Sequence, residues 1–318
     1  MATHAVARPK GQENILLGVA CILFATAGMA FTDALIKFFS ANLTLWQVFV
    51  VRSGFAVPCL IMIARWKGNV LMPESVFWTL VRSVFQVLSW LAFYAALPVL
   101  SLSIAAVAVY TSPIITTVFA AIFLREEVSA RQWVGVCIGF AGVIVILRPW
   151  TGDFNWAVLM PFASAIFYTL TVMVTRRKCQ DERATTLTLW SQYTFIAFGV
   201  AGVLTVTLAG LDPATAESYP FLLNGWPAMA PQEWALLGSM GLLAALAFLA
   251  AARAYQAAPP QIIATIDNCY LIWAAVWGIV FFGDTPGSLT LAGIALIFVA
   301  GGLVATRPLG GKNSISRR

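Results

Sequence analysis

The chain has 318 residues, of which 60% are hydrophobic and 10% charged, with a formal net charge of +6. A mean hydropathy of +0.86 lies far outside the range of water-soluble domains and excludes a soluble globular protein. The basic balance is accounted for by membrane topology, so no nucleic-acid partner is called for.

A membrane-crossing helix needs roughly 20 mostly apolar residues. The sequence offers ten such runs, at 14–38, 44–64, 76–97, 101–124, 132–148, 154–175, 186–209, 234–256, 260–282 and 288–306. The expected fold class is all-α integral membrane, with no room for a soluble catalytic domain. The first run is too long for a signal-peptide core and lacks a small-residue cleavage site, so it is expected to remain as a helix. Pro and Gly inside several runs are tolerated where neighbouring helices re-satisfy the backbone.

In chain order, the first run carries Asp33 about five residues before its outer end, with Lys37 one turn above it. The second descends from the same side and carries Arg52 about eight residues in. At 1.5 Å rise per residue both lie roughly 8–12 Å below the outer surface, so they can pair, and Lys37 can compete for Asp33. Ionisable groups inside a span are costly and are functional candidates by default. Two readings stand here: an outer gate or substrate contact, and a structural ion pair that fixes helix packing. The third run aligns Arg82, Gln86, Trp90 and Phe93 on one face, a polar-to-aromatic stripe that faces either a cavity or a neighbouring helix.

The fourth run presents Tyr110 and Thr117 around Pro113, and the fifth has a small-residue face of Gly135, Gly139 and Gly142. That face suits close contact with the tenth run, at Gly293, Ala300 and Gly301, within one chain or across a homodimer. The sixth run offers Tyr168, and the seventh Trp190 and Tyr193. A long loop at 209–233 holds Asp212, Glu217 and Glu233 and no cation, which fits the outside. Arg253 lies one turn from the inner end of the eighth run, as a gating candidate or a snorkelling side chain. Asp267 is about two turns into the ninth, too deep to snorkel, and Pro259-Pro260 forces a tight corner between them. As intramembrane carboxylates, Asp267 and then Asp33 are the candidates for proton coupling. Tyr270, Trp273 and Trp277 follow Asp267 at helical spacing. Aromatics beside deep charges suit a planar or amphipathic organic solute better than a bare ion.

Two stretches repeat about 158 residues apart. Ser103-Ile104-Ala105-Ala106 leads to Leu147-Arg148-Pro149, and Gln261-Ile262-Ile263-Ala264 leads to Thr306-Arg307-Pro308. Thr44-Leu45-Trp46 likewise returns as Thr188-Leu189-Trp190. The organisation expected is a tail at 1–13, a five-helix repeat at 14–150, a second at 151–308 and a tail at 309–318. Five is odd, so the second copy is inverted, and such folds place a site near the midplane between the halves. With the amino terminus inside, most Lys and Arg fall on the inner side, and only Lys37 and Arg148 on the other. Both termini are therefore expected in the cytoplasm of a multi-pass bacterial inner-membrane protein. The repeat counterpart of Asp267 is Val109, so that carboxylate breaks the symmetry.

Phe93-Tyr94-Ala95-Ala96-Leu97, Phe123-Leu124-Arg125-Glu126-Glu127-Val128, Gln132-Trp133-Val134-Gly135, Gly139-Phe140-Ala141-Gly142-Val143 and Arg148-Pro149 closely resemble the EamA-type branch of the drug/metabolite transporter superfamily. The second half follows the pattern more loosely, with Gly283-Asp284 in place of the usual Gly-Glu and Ala258-Pro259-Pro260 at the turn. The resemblance implies a secondary transporter of a small organic metabolite (an amino acid, vitamin or nucleoside-like solute), nearest the riboflavin or S-adenosylmethionine carriers. The rival reading is a non-transporting receptor or assembly subunit. There is no Walker-type phosphate loop, so direct ATP drive is not expected. Enzyme chemistry is disfavoured because the single histidine, His4, lies in the tail and Asp33 and Asp267 fall near opposite faces. The five cysteines form no CxxC pair, so no metal or cofactor is expected. The rings of like charge expected of an ion-channel filter are also missing.

Overall fold

The computed structural model describes residues 15–68, 70–123, 128–147, 155–258, 263, 266–285 and 287–305. Among these the chain is helical, because a backbone without water must satisfy its own N–H and C=O groups. The long elements are α1 (Ile15–Phe39), α2 (Leu45–Trp66) and α3 (Val76–Ala96). They are followed by α4 (Leu102–Val109), α5 (Ser112–Phe123), α6 (Ala130–Leu147), α7 (Leu159–Lys178) and α8 (Ala184–Ala209). After two short turns of helix, α9 (Pro213–Ser218) and α10 (Pro220–Leu223), come α11 (Pro231–Ala257), α12 (Tyr270–Phe282) and α13 (Ser288–Ala305).

Seven of the described helical stretches are long and apolar enough to cross a membrane, and three shorter ones are apolar: Ala130–Ile146, Tyr270–Phe282 and Ser288–Leu303. The surface is inverted relative to a soluble protein. Leu16, Met62, Phe77, Leu204 and Val280 are all more than half exposed, whereas Thr26, Asp33, Gln47 and Arg52 are buried. An exterior this apolar is suited to lipid rather than water.

Local chemistry sets the ends. Thr44 and Gln47 form a reciprocal capping box at the start of α2, Thr44 N donating to Gln47 Oε1 at 3.0 Å and Gln47 N to Thr44 Oγ1 at 3.4 Å. The helix then passes through one π turn at Val48–Arg52, which places Arg52. Gly210 (φ 53°) stops α8 and Gly283 (φ 67°) stops α12 in the left-handed conformation that glycine adopts without a Cβ clash.

The run expected as one helix at 101–124 is broken between α4 and α5. Pro113 has no N–H to give and its ring crowds the carbonyl four residues back, so the chain turns at Tyr110 and Thr111. The 209–233 segment, expected as a plain loop, holds α9 and α10. The repeat junction, Arg148, the Pro259-Pro260 corner and both tails fall outside the described residues.

The most extensive packing is between α6 and α13, α3 and α7, and α1 and α11. Next come α1 with α12, α4 and α5 with α7, α2 with α8, α2 with α11, α3 with α8, and α4 with α12. Small residues permit the α6–α13 seam: a Cβ at Gly293 would lie 2.2 Å from Ile146 Cγ1 and 2.8 Å from the Gly142 carbonyl oxygen. This small-residue face therefore serves contact within one chain.

Candidate functional site

A cavity of about 650 Å³ opens between α3, α7, α12 and α1. Of the residues singled out from sequence, it is lined by Arg82, Gln86, Trp90, Tyr110, Tyr168, Asp267 and Tyr270. Its size falls within the usual range for organic ligands. Arg176, exposed at the C-terminal end of α7, lies on the lining, so the hollow reaches the surface at that end of the bundle.

Arg82 does not point free into the space. Its Nε donates to Thr175 Oγ1 at 3.2 Å, one amino group to Ser191 Oγ at 2.6 Å and the Leu187 carbonyl at 3.3 Å, and the other to Gln86 Oε1 at 3.5 Å. It ties α3 to α7 and α8. On the opposite wall the rings of Tyr110 and Tyr270 stack at 5.1 Å with 16° between their planes. The Tyr110 hydroxyl donates to the Asp267 backbone oxygen at 3.4 Å. Stacked aromatic pairs contribute roughly 0.5–1.5 kcal/mol beyond their burial.

Behind this wall lies a buried ionic network. Tyr270 donates to Asp33 Oδ2 at 2.6 Å, Tyr94 donates to Asp33 Oδ1 at 2.9 Å, and Arg52 donates to the Tyr94 hydroxyl at 2.7 Å. Asp33 and Arg52, expected from their depths to pair, make no direct ion pair here; the hydroxyl of Tyr94 bridges them. The Arg52 guanidinium also sits 5.9 Å from the ring of Trp90. Trp90 and Tyr270 are thus shared: each has one surface on the cavity and one against the charges.

Beyond the network the bundle is closed. Lys37 Nζ donates to the carbonyls of Leu97 and Leu100, capping the end of α3 instead of competing for Asp33. Phe31, Trp277, Phe281, Phe38 and Phe282 pack ring against ring. The segment after α8 lies over this end: Trp46 Nε1 donates to Leu222 O at 2.8 Å, Gln47 Nε2 to Pro227 O at 2.7 Å, and the Tyr219 hydroxyl to Ala95 O.

The remaining sequence candidates are elsewhere. Trp190 donates from Nε1 to Leu71 O at 3.1 Å, Tyr193 is 42% exposed beside it, and Arg253 is exposed on α11. Trp277 belongs to the closed end. Sequence reading passed over Tyr94, although it extends the Gln86–Trp90 series by one more step of four.

Residues 16–148 match the EamA-like transporter family. The riboflavin transporter of Rhizobium johnstonii is 29% identical over 90% of this chain and 87% of its own. The pseudopaline exporter of Pseudomonas aeruginosa is 24% identical over 89% and 94%. The S-adenosylmethionine uptake transporter of Rickettsia felis is 22% identical over 91% and 92%. One solved crystal structure aligns with a TM-score of 0.60 at 17% identity, covering 93% of this chain and 98% of that one. The first half of the chain thus matches the EamA-like transporter family, and nearly its whole length is similar to bacterial metabolite transporters.

Proposed function

We propose that this protein is a secondary transporter carrying a small organic metabolite across the bacterial inner membrane by alternating access. The architecture is ten membrane-crossing helices in two inverted five-helix repeats, at 14–150 and 151–308, with both termini cytoplasmic. The observation that carries the reading is the 650 Å³ cavity, which reaches the surface at one end and meets a buried charge network at the other.

Packing supports the repeat. Exchanging α1 with α7, α2 with α8, α3 with α11, α4 and α5 with α12, and α6 with α13 converts α1–α11 into α7–α3 and α2–α11 into α8–α3. The pairs α2–α8, α4–α12 and α6–α13 map onto themselves. A pseudo-two-fold between inverted copies has this property. The open end carries Arg176, Arg177 and Lys178, the basic side assigned to the cytoplasm. The conformation is then inward-facing, with the network and the aromatic cluster as the outer seal.

Among the named relatives, riboflavin and S-adenosylmethionine carriers favour the vitamin or nucleoside-like end of the solute range. Asp267 and Asp33 are the carboxylates available for proton coupling. Purified protein in proteoliposomes, loaded with unlabelled solute, should accumulate labelled solute by counterflow. Imposing an inward proton gradient should raise net uptake if either carboxylate carries a proton. Failure of amino acids, vitamins and nucleosides alike to exchange would overturn the transporter reading.

A further inference from the structure

Three charged side chains lie on the cavity lining: Arg82, Arg176 and Asp267. Arg82 is held by Thr175, Ser191, the Leu187 carbonyl and Gln86. Asp267 differs. Among the described residues none hydrogen-bonds its carboxylate, and the Tyr110 hydroxyl takes only its backbone oxygen. Its environment is aromatic: the stacked Tyr110–Tyr270 pair lies beside it, and Tyr168 of α7 lines the same cavity. The side-chain amide of Asn268 is adjacent, packed on Gly301.

A carboxylate in such a wall loses water when the cavity fills, and that loss is costly unless a donor replaces it. An anionic solute adds like-charge repulsion. A metal ion would need more oxygen or nitrogen ligands, and among the described residues no group of three metal-binding side chains gathers. What the wall complements is a flat ring with N–H groups on one edge.

We propose, building on the carrier reading above, that Asp267 receives the N–H edge of a flat nitrogen heterocycle lying against the Tyr110–Tyr270 pair. The solute's hydroxylated remainder then runs along Gln86, Ser89, Ser164 and Thr171 toward the mouth. Ser89 and Ser164 already hydrogen-bond each other at 3.1 Å and keep lone pairs for a solute hydroxyl. Asp267 is on this account the residue that sets specificity for the ring, and α3 and α7 bind the tail.

The test is counterflow with the full-length protein in proteoliposomes. Riboflavin and adenosine are each set against a counterpart methylated at the ring-edge nitrogen, 3-methylriboflavin and N6,N6-dimethyladenosine, with citrate and leucine as solutes of other classes. A hydrogen bond to a charged group corresponds to about 10- to 100-fold in affinity. The wild type should therefore exchange at least one heterocycle and accept its methylated counterpart about 10- to 100-fold less well. Asp267→Asn should weaken the parent heterocycle by a similar factor and shrink the gap between parent and methylated forms to under about threefold. Equal acceptance of parent and methylated forms by the wild type overturns the proposal, without relying on any variant to fold. Exchange of citrate or leucine and neither heterocycle overturns it while leaving the carrier reading intact. No exchange of any solute overturns both.

Discussion

Tyr94 gives up its hydroxyl hydrogen to Asp33 and takes one from Arg52, so a neutral side chain joins two charges that would be costly to bury alone. Each member has a distinct stake. Arg52→Leu leaves Asp33 with two hydroxyl donors and no cation, and loss of one partner from a buried pair costs roughly 3–5 kcal/mol. Tyr270→Phe removes one donor from Asp33 Oδ2 and keeps the ring stacked on Tyr110, which costs about 1–3 kcal/mol. Thermal unfolding in detergent should rank Arg52→Leu well below Tyr270→Phe, and both below the wild type; an Arg52→Leu variant that melts like the wild type would refute the network. Asp33 and Arg52 were legible because a charge inside an apolar run is conspicuous. Tyr94 was not, since a tyrosine among thirteen per cent aromatic residues carries no mark of its partner. Trp190, Tyr193 and Trp277 show the same limit from the other side. Sequence gives the spacing of rings along a helix, but their direction depends on how the helix is rotated against its neighbours.

Hydropathy located most of the described helices to within a few residues, because lipid leaves an apolar run few alternatives. The ninth run, however, expected as one helix at 260–282, turns at Asn268 and Cys269 before α12 begins at Tyr270. Hydropathy was blind to the interruption at Tyr110–Thr111, since an average over about 20 residues absorbs the few less apolar positions Tyr110, Thr111, Ser112 and Pro113. Pro113 was the available signal, and its effect is to free Tyr110 from regular helix so that its ring meets Tyr270. Pro113→Ala should let α4 and α5 join, with helix content kept by circular dichroism and counterflow reduced at least tenfold. Undiminished transport would show that the break is incidental. The α6–α13 seam makes a different demand. A Cβ at Gly293 would meet both Ile146 and the Gly142 carbonyl, and overpacking of this kind costs typically 1–3 kcal/mol. Gly293→Val should lower the unfolding temperature while the variant elutes at the same size as the wild type, because the seam lies within one chain.

An alternating-access carrier requires that its two ends be closed by different interactions, and the described residues divide in that way. At one end Arg82 holds α3 to α7 and α8, yet leaves a passage past Thr175 and Arg176. At the other, the Asp33–Tyr94–Arg52 relay, the Lys37 cap on α3 and the Phe31–Trp277–Phe281 rings succeed one another. Trp90 and Tyr270 connect the two regions, so a solute pressing on them acts on the seal directly, without a long chain of intermediates. This makes a prediction about access. With the five native cysteines replaced, Ala251→Cys on the cavity wall should react with a membrane-impermeant maleimide applied from the face that carries Arg176. Ala96→Cys, fully buried at the sealed end, should resist the reagent from both faces. Adding Tyr270→Phe loosens the seal and should expose position 96 to the reagent from the opposite face, while slowing the reaction at position 251. If position 96 reacts as fast as position 251 in the unaltered background, the closed end is no seal and the division of labour between the two ends fails.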